Sequence, residues 1–224
     1  MFTALHNFLV TADGGLTPAG YLLCLAIVLL CLIAVGFFHT NTQNKRLSTK
    51  QLTWCAAALA LAFLSSYIKF FDLPFGGSVT FFSMLFICLI GYWFGLKVGL
   101  ITGLAYGILQ FLQGPYVLSF FQVCCDYFFA FAALGLSGVF SKSKNGLIKG
   151  YLLGILMRGF FHSLGGYLYW MDYMPENFPQ SLTAIYPIVY NYSYILAEGI
   201  VTLVVISLPP VKKALVQLKK NAIA

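Results

Sequence analysis

Four ionisable side chains, Asp126, Arg158, His162 and Glu198, lie inside otherwise apolar runs of this chain. Such groups are costly in hydrocarbon and persist where they face a bundle interior, pair with one another or bind something. Asp126 lies ten positions in from Tyr116, His162 ten in from Asp172 and Asn191 nine in from Leu182. At a helical rise of ~1.5 Å per residue, all three reach about 15 Å below one surface. A carboxylate, an imidazole and an amide from three segments are therefore expected to converge in one cavity. Arg158 and Glu198 lie deeper, about 21 to 24 Å from the same outer markers. They match in level and are opposite in sign, so the expected role is a buried pair tying two spans together, with a substrate role as the alternative.

Arg158, His162, Gly166 and Trp170 recur every four residues and share one helical face, where Gly166 leaves space between imidazole and indole. Close helix packing at Gly165 and Gly166 is the competing structural reading. Tyr116, Tyr127, Trp170, Tyr186 and Tyr190 cluster near the level of Asp126. A carboxylate walled by rings suits a flat organic cation, through ion pairing and cation–π contact. Metal chemistry is not expected: the six cysteines include the vicinal Cys124 and Cys125 but form no CxxC, and small buried side chains is their reading. An intramembrane hydrolase built on Asp126, His162 or Glu198 is the rival of another class. It finds no HExxH, no GxSxG and no paired-Asp motif, and no Walker A sequence is present either.

The elements that must hold these groups are membrane helices. Of the 224 residues 60% are hydrophobic and 8% charged, and the mean hydropathy is +0.87. Soluble domains carry roughly a quarter charged residues. Seven apolar segments stand out: Leu16 to Phe38, Leu52 to Phe71, Val79 to Phe94, Leu96 to Leu112, Val117 to Phe140, Ile148 to Trp170 and Leu182 to Leu208. The third and fourth abut at Gly95 and predict a tight hairpin. The first has no basic residues before it and no small-residue cleavage pattern after it, so it reads as a permanent helix and not a signal peptide.

Charge sets the direction of the spans. Lys45, Arg46 and Lys50 follow the first segment, Lys97 the third, Lys142, Lys144 and Lys149 the fifth, and Lys212, Lys213, Lys219 and Lys220 the seventh. The positive-inside rule places these loops in the cytoplasm. The other side holds Asp13, Asp72, Asp172 and Glu176, with Lys69 its only cation. The N-terminus is therefore expected outside and the C-terminus inside. The net charge of +7 is clustered in these loops and not interleaved with aromatics, which excludes a nucleic-acid partner. The two-proline loop from Asp172 to Gln180 is the longest external connection and is placed to cover an outward-opening site.

At these residues the sequence resembles the thiamine-specific substrate-binding (S) components of energy-coupling factor (ECF) transporters. The stretches that carry the resemblance are GGSVTFFSML from Gly76, GLKVGLITGLAYGILQ from Gly95, Tyr116 with DYFFAFAALGLSG from Asp126, RGFFHSLGGYLYW from Arg158 and YPIVYN from Tyr186. The resemblance implies a six-helix core that binds thiamine near the outer face of the plasma membrane of a bacterium, with no enzymatic activity and no cofactor. It puts the family's acidic residue on Asp126 beside Tyr127. Further binding residues fall on Tyr116, His162, Gly166, Trp170, Tyr186 and Asn191. It also implies delivery through a transmembrane coupling subunit driven by two ATPase subunits. The small-residue docking pattern of the first core helix falls on Ala56 and Ala60. Positions where some members carry Trp hold Gly77 and Tyr106, which makes Tyr106 a candidate wall of the pocket. An S component for another cationic heterocycle or a thiamine precursor is the nearest alternative. The expected architecture is an all-α membrane protein of seven spans. Residues 1–50 would form an extra N-terminal helix with a basic loop, and 51–224 the six-helix substrate-binding domain.

Overall fold

The first helix that builds the site starts at a reciprocal cap: the Ser48 hydroxyl accepts the Gln51 backbone N–H at 3.2 Å, and the Gln51 side chain accepts the Ser48 N–H at 3.0 Å. The computed structural model of the protein describes residues 8–11, 16–23, 26 and 48–223. The expected first span, Leu16 to Phe38, and the charges at Asp13, Lys45 and Arg46 lie largely or wholly outside the described residues.

From this cap α1 runs over Thr49–Ser66. An antiparallel hairpin follows, β1 (Lys69–Asp72) against β2 (Ser78–Thr80). Then come α2 (Ser83–Phe94), α3 (Leu96–Gln113), the helical run α4 (Phe120–Phe140), α5 (Gly146–Tyr169), α6 (Tyr186–Ser207) and α7 (Pro209–Ile223). The hairpin corrects the all-α expectation, which had run helix through Phe71 and resumed it at Val79. Pro74 forces Leu73 into extended backbone, and Gly76 turns the chain at φ +95°, a conformation open to glycine. Apolarity alone had made Ile68 to Phe71 look helical, whereas two successive phenylalanines beside a Pro-Phe-Gly-Gly turn favour a strand. The tight α2–α3 reversal does occur at Gly95, at φ +91°.

The protein is a membrane protein. Among the described residues, the stretches Leu96–Gln113, Phe120–Phe140 and Gln180–Ser207 are long and apolar enough to cross a bilayer, while Ser83–Phe94 is apolar but shorter. Large apolar side chains such as Phe160, Ile200, Val201 and Val204 are exposed on the outside of the bundle, as lipid contact requires.

Glycines set how closely the spans approach. On α3, Gly99, Gly103 and Gly107 form a stripe whose missing side chains would each strike the backbone of α4, at Gly135, Phe131 and Tyr127 respectively. Without lipid-excluded hydrophobic drive between helices, such backbone contact is the packing force available. It also seats Tyr127 and its neighbour Asp126 against the bundle. Gly107→Leu is therefore expected to destabilise the protein by about 2 kcal/mol, by overpacking against main chain. Gly114→Ala, which meets nothing within 4 Å, should leave the melting temperature of the purified protein unchanged. Equal melting of both variants would refute the seam.

Asp126 itself sits in a π-helical turn, Cys124–Phe129, inside α4. Such turns interrupt the regular ladder and recur at functional sites.

Candidate functional site

A cavity of about 650 Å³ opens at the end of the bundle away from the basic loops. That volume is within the range of small-molecule sites. Its walls come from the end of α1 at Ser66, the hairpin, the C-terminal end of α3, the outer half of α4, and the facing sides of α5 and α6.

The centre of the site is the Asp126 carboxylate. Its Oδ2 accepts the Gln122 amide at 2.8 Å and the Trp170 indole N–H at 2.9 Å, and its Oδ1 lies 3.6 Å from His162 Nδ1. Gln122 is itself buried and fixed, since its Oε1 accepts the Leu118 N–H at 3.0 Å. Gly165 admits this carboxylate: a Cβ there would stand 2.6 Å from Asp126 Oδ1. His162 Nε2 accepts from Arg158 Nε at 3.4 Å, so in the neutral ring the proton sits on Nδ1 and faces Asp126. The Arg158 guanidinium lies 4.4 Å from the centre of the Phe131 ring. Carboxylate, imidazole and guanidinium thus follow one another down one side of the cavity.

Arg158 and Glu198 are not the expected pair. Glu198 is 3% exposed. Its carboxylate accepts the Thr80 N–H at 3.1 Å, the Thr80 hydroxyl at 2.6 Å and the Met84 N–H at 3.2 Å. It therefore binds the start of α2, where unpaired N–H groups and the helix dipole favour negative charge. Matching depth predicted a partner at the right level but could not see that the β2–α2 junction reaches it first. Arg158, one helical turn from His162, faces the cavity instead.

Asn191 is 7% exposed. Its Nδ2 donates to Pro187 O at 2.9 Å and its Oδ1 accepts the Tyr194 hydroxyl at 3.0 Å. One amide N–H remains for the cavity. Gly166 lies against Pro187 and, like Asn191, Tyr186 and Tyr127, lines the cavity. The Tyr127 hydroxyl donates to Gly114 O at 2.9 Å. At the mouth, Tyr116 and Tyr173 each bring a ring within 5.1 Å of Trp170, and their hydroxyls meet at 3.5 Å. The Tyr116 hydroxyl beside it raises the Tyr173 phenol above its ordinary value. The external loop thus does reach the site, through Tyr173.

Of the nine residues singled out as candidate binding positions, the structure brings eight to this cavity: Tyr116, Asp126, Tyr127, His162, Gly166, Trp170, Tyr186 and Asn191. Tyr106 is the exception. It is 0% exposed, its hydroxyl donates to Ala62 O at 3.3 Å, and its ring backs Phe131 edge-on at 5.2 Å. It lies one turn below the cavity floor and supports a wall without forming one. Gly77 does line the cavity, and a side chain there would collide with Tyr190 and Tyr194. These α6 tyrosines fill the space a larger residue at 77 would need.

Sequence reasoning missed Gln122, Phe131 and a polar wall made of Ser66, Gln110 and Gln113, and read Gly165 only as a helix-packing position. In that wall Gln110 Nε2 donates to the Ser66 hydroxyl at 2.9 Å, which in turn reaches Gln113 Oε1 at 3.0 Å. The signal for it was present: two amides three residues apart near one end of an apolar span.

The hairpin closes the remaining side. The Tyr190 hydroxyl accepts the Gly77 N–H at 3.1 Å and donates to Pro74 O. Together with the Glu198 contacts, this ties α6 to both the tip and the base of the hairpin.

Comparison with known proteins gives consistent results. A family described as "Thiamine transporter protein (Thia_YuaJ)" matches residues 52–218. The thiamine transporter ThiT of Bacillus subtilis (strain 168) is 34% identical over 172 residues, covering 68% of this chain and 84% of that protein. A solved structure of ThiT from Listeria monocytogenes superposes with a TM-score of 0.56 at 26% identity, covering 71% of this chain and 94% of that one. With a seam of small residues setting its helices, a caged carboxylate at its centre and this match over most of its length, the chain belongs to the thiamine transporter protein family.

Proposed function

We propose that the protein captures thiamine from outside the cell in this cavity and acts as the substrate-binding component of an energy-coupling factor transporter in a bacterial plasma membrane. The observation that carries the reading is the Asp126 carboxylate, held by Gln122, Trp170 and His162 in a cavity walled by rings. Thiamine presents a permanent thiazolium cation and a flat aminopyrimidine. Asp126, whose side chain is 14% exposed, supplies the counter-charge. Trp170, Tyr116 and Tyr186 supply aromatic faces, and the free N–H of Asn191 meets a ring nitrogen. Arg158 and the Ser66–Gln110–Gln113 wall face the electron-rich and hydroxyl-bearing parts of the ligand.

The bundle would cross the membrane with the cavity outward and the basic loops inward, as seven spans when the N-terminal segment is included. Residues 51–224 would be the binding domain and 1–50 the added helix with its basic loop. Ala56 and Ala60 are exposed on α1, whereas Cys55, Ala58 and Ala62 pack inward. That leaves the small pair available for docking on a transmembrane coupling subunit, with two ATPase subunits providing the energy that this chain has no motif to supply.

A different cationic heterocycle or a thiamine precursor is the second reading, favoured by the filling of the Gly77 side with Tyr190 and Tyr194. Titration of the detergent-solubilised protein against a ligand panel, read by tryptophan fluorescence, separates the two. Thiamine should quench Trp170 emission at the lowest concentration of the panel. Stronger binding of a precursor would transfer the assignment to that ligand, and no response to any member would end both readings.

A further inference from the structure

Helix α7 takes no part in the cavity, and its composition differs from that of the other helices among the described residues. Its 15 residues, Pro209–Ile223, contain Lys212, Lys213, Lys219 and Lys220 and no acidic residue. It begins where the α6 span ends: Leu208 leaves helical geometry at ψ 133°, and Pro209 and Pro210 follow, so the new helix starts at the bilayer surface.

The roll of α7 about its own axis is fixed. Ala222 is buried, Val211 and Leu215 are half-buried, and Lys219 folds inward, donating to Ser141 O at 3.0 Å with its ammonium 3.5 Å from the centre of the Tyr92 ring. With that stripe turned to the bundle, Lys212, Val216, Lys220 and Ile223 follow one another along an outer edge, at spacings of three and four residues. Lys213 flanks them. Val216 is 51% and Ile223 48% exposed. Next to Ser141, the turn adds exposed Lys142 and Lys144. The six acidic residues of the chain, at positions 13, 72, 126, 172, 176 and 198, all lie on other segments.

We infer that this outer edge of α7 binds anionic phospholipid headgroups of the leaflet at the basic end of the bundle. Exposed aliphatic side chains set between lysines match an interface in which methyl groups enter the acyl boundary and ammonium groups meet phosphates. A soluble acidic partner would need the lysines but has no use for Val216 and Ile223 at the level where a span emerges. The inference rests on Gln180–Ser207 crossing the membrane and is independent of which ligand occupies the cavity.

The test uses full-length protein in neutral detergent at low salt, with phosphatidylglycerol or phosphatidylcholine added. The readouts are lipid retained after gel filtration and the melting temperature. The protein should retain phosphatidylglycerol in preference to phosphatidylcholine and melt at a higher temperature with it. The triple variant Lys212→Ala, Lys213→Ala, Lys220→Ala should lose that preference, at roughly fivefold in affinity per lysine. The triple Lys→Arg variant should keep it, which separates charge from a folding defect. Unchanged phosphatidylglycerol retention by the alanine variant, equal retention of the neutral lipid, or equal stabilisation by inorganic phosphate would each overturn the inference. So would loss of co-purification with a coupling protein in the alanine variant while its lipid retention stays intact.

Discussion

Asp126→Asn is expected to weaken thiamine binding roughly a hundredfold, a loss of about 3 kcal/mol for removing one partner of a desolvated charge pair. Two effects act in the same direction. The cation loses its counter-charge, and the new amide must either turn its NH2 toward Trp170 Nε1 and Gln122 Nε2, which are donors now held at 2.9 and 2.8 Å, or present it to the ligand. Neither orientation satisfies all of them. Asn is nearly isosteric with Asp, so the variant should elute and melt close to the parent, and the loss is read as a shift in the fluorescence titration. Near-normal affinity in a folded Asp126→Asn protein would remove the cation site from the proposal.

Glu198→Ala is expected to give the largest loss of stability, about 3 kcal/mol, with the melting temperature falling by roughly 6–12 °C. Three donors from Thr80 and Met84 converge on this 3% exposed carboxylate. With alanine the Thr80 hydroxyl can still turn to Ser83 at 2.7 Å, but the Thr80 and Met84 backbone N–H groups lose their acceptor. The hairpin residues Ser78 and Thr80 line the cavity, so the surviving folded fraction should also bind thiamine more weakly. Glu198→Gln keeps one acceptor oxygen and should fall between parent and alanine variant. If Glu198→Ala melts like the parent, the carboxylate is not what seats the β2–α2 junction.

These two residues also mark what could be read from the chain alone. Asp126, His162 and Asn191 could be placed together because each lies on a helical span with a visible outer end, and rise per residue converts position into depth closely enough even across the π turn at Asp126. Trp170 and Gly166 followed from four-residue spacing on the same face. Glu198 was placed at the correct depth yet given the wrong partner, because depth says nothing about a junction arriving from a distant part of the sequence. Tyr106 failed for a related reason: its helix and aromatic type were right, but its position one turn below Gln110 puts it beneath the floor. The hairpin was hidden by composition, since a strand bounded by apolar helices carries the same residues as the helix ends it replaces. Helix α7 went unread because its lysines were counted as loop charge, although their spacing against Val211, Leu215 and Ala222 is helical.

The π turn around Asp126 has a consequence for how this helix can change. The inner part of α4 is locked by the glycine contacts at Phe131 and Gly135, while its outer part carries Gln122 and leads back to Tyr116. One residue too many for a regular ladder separates them, so shortening Cys124–Phe129 by a single position would leave an intact helix but swing everything before it through about 100°. The anchoring half and the ligand-facing half of one span are thus phased independently. A lone deletion here would re-aim the pocket while leaving the seam contacts at Phe131 and Gly135 in place.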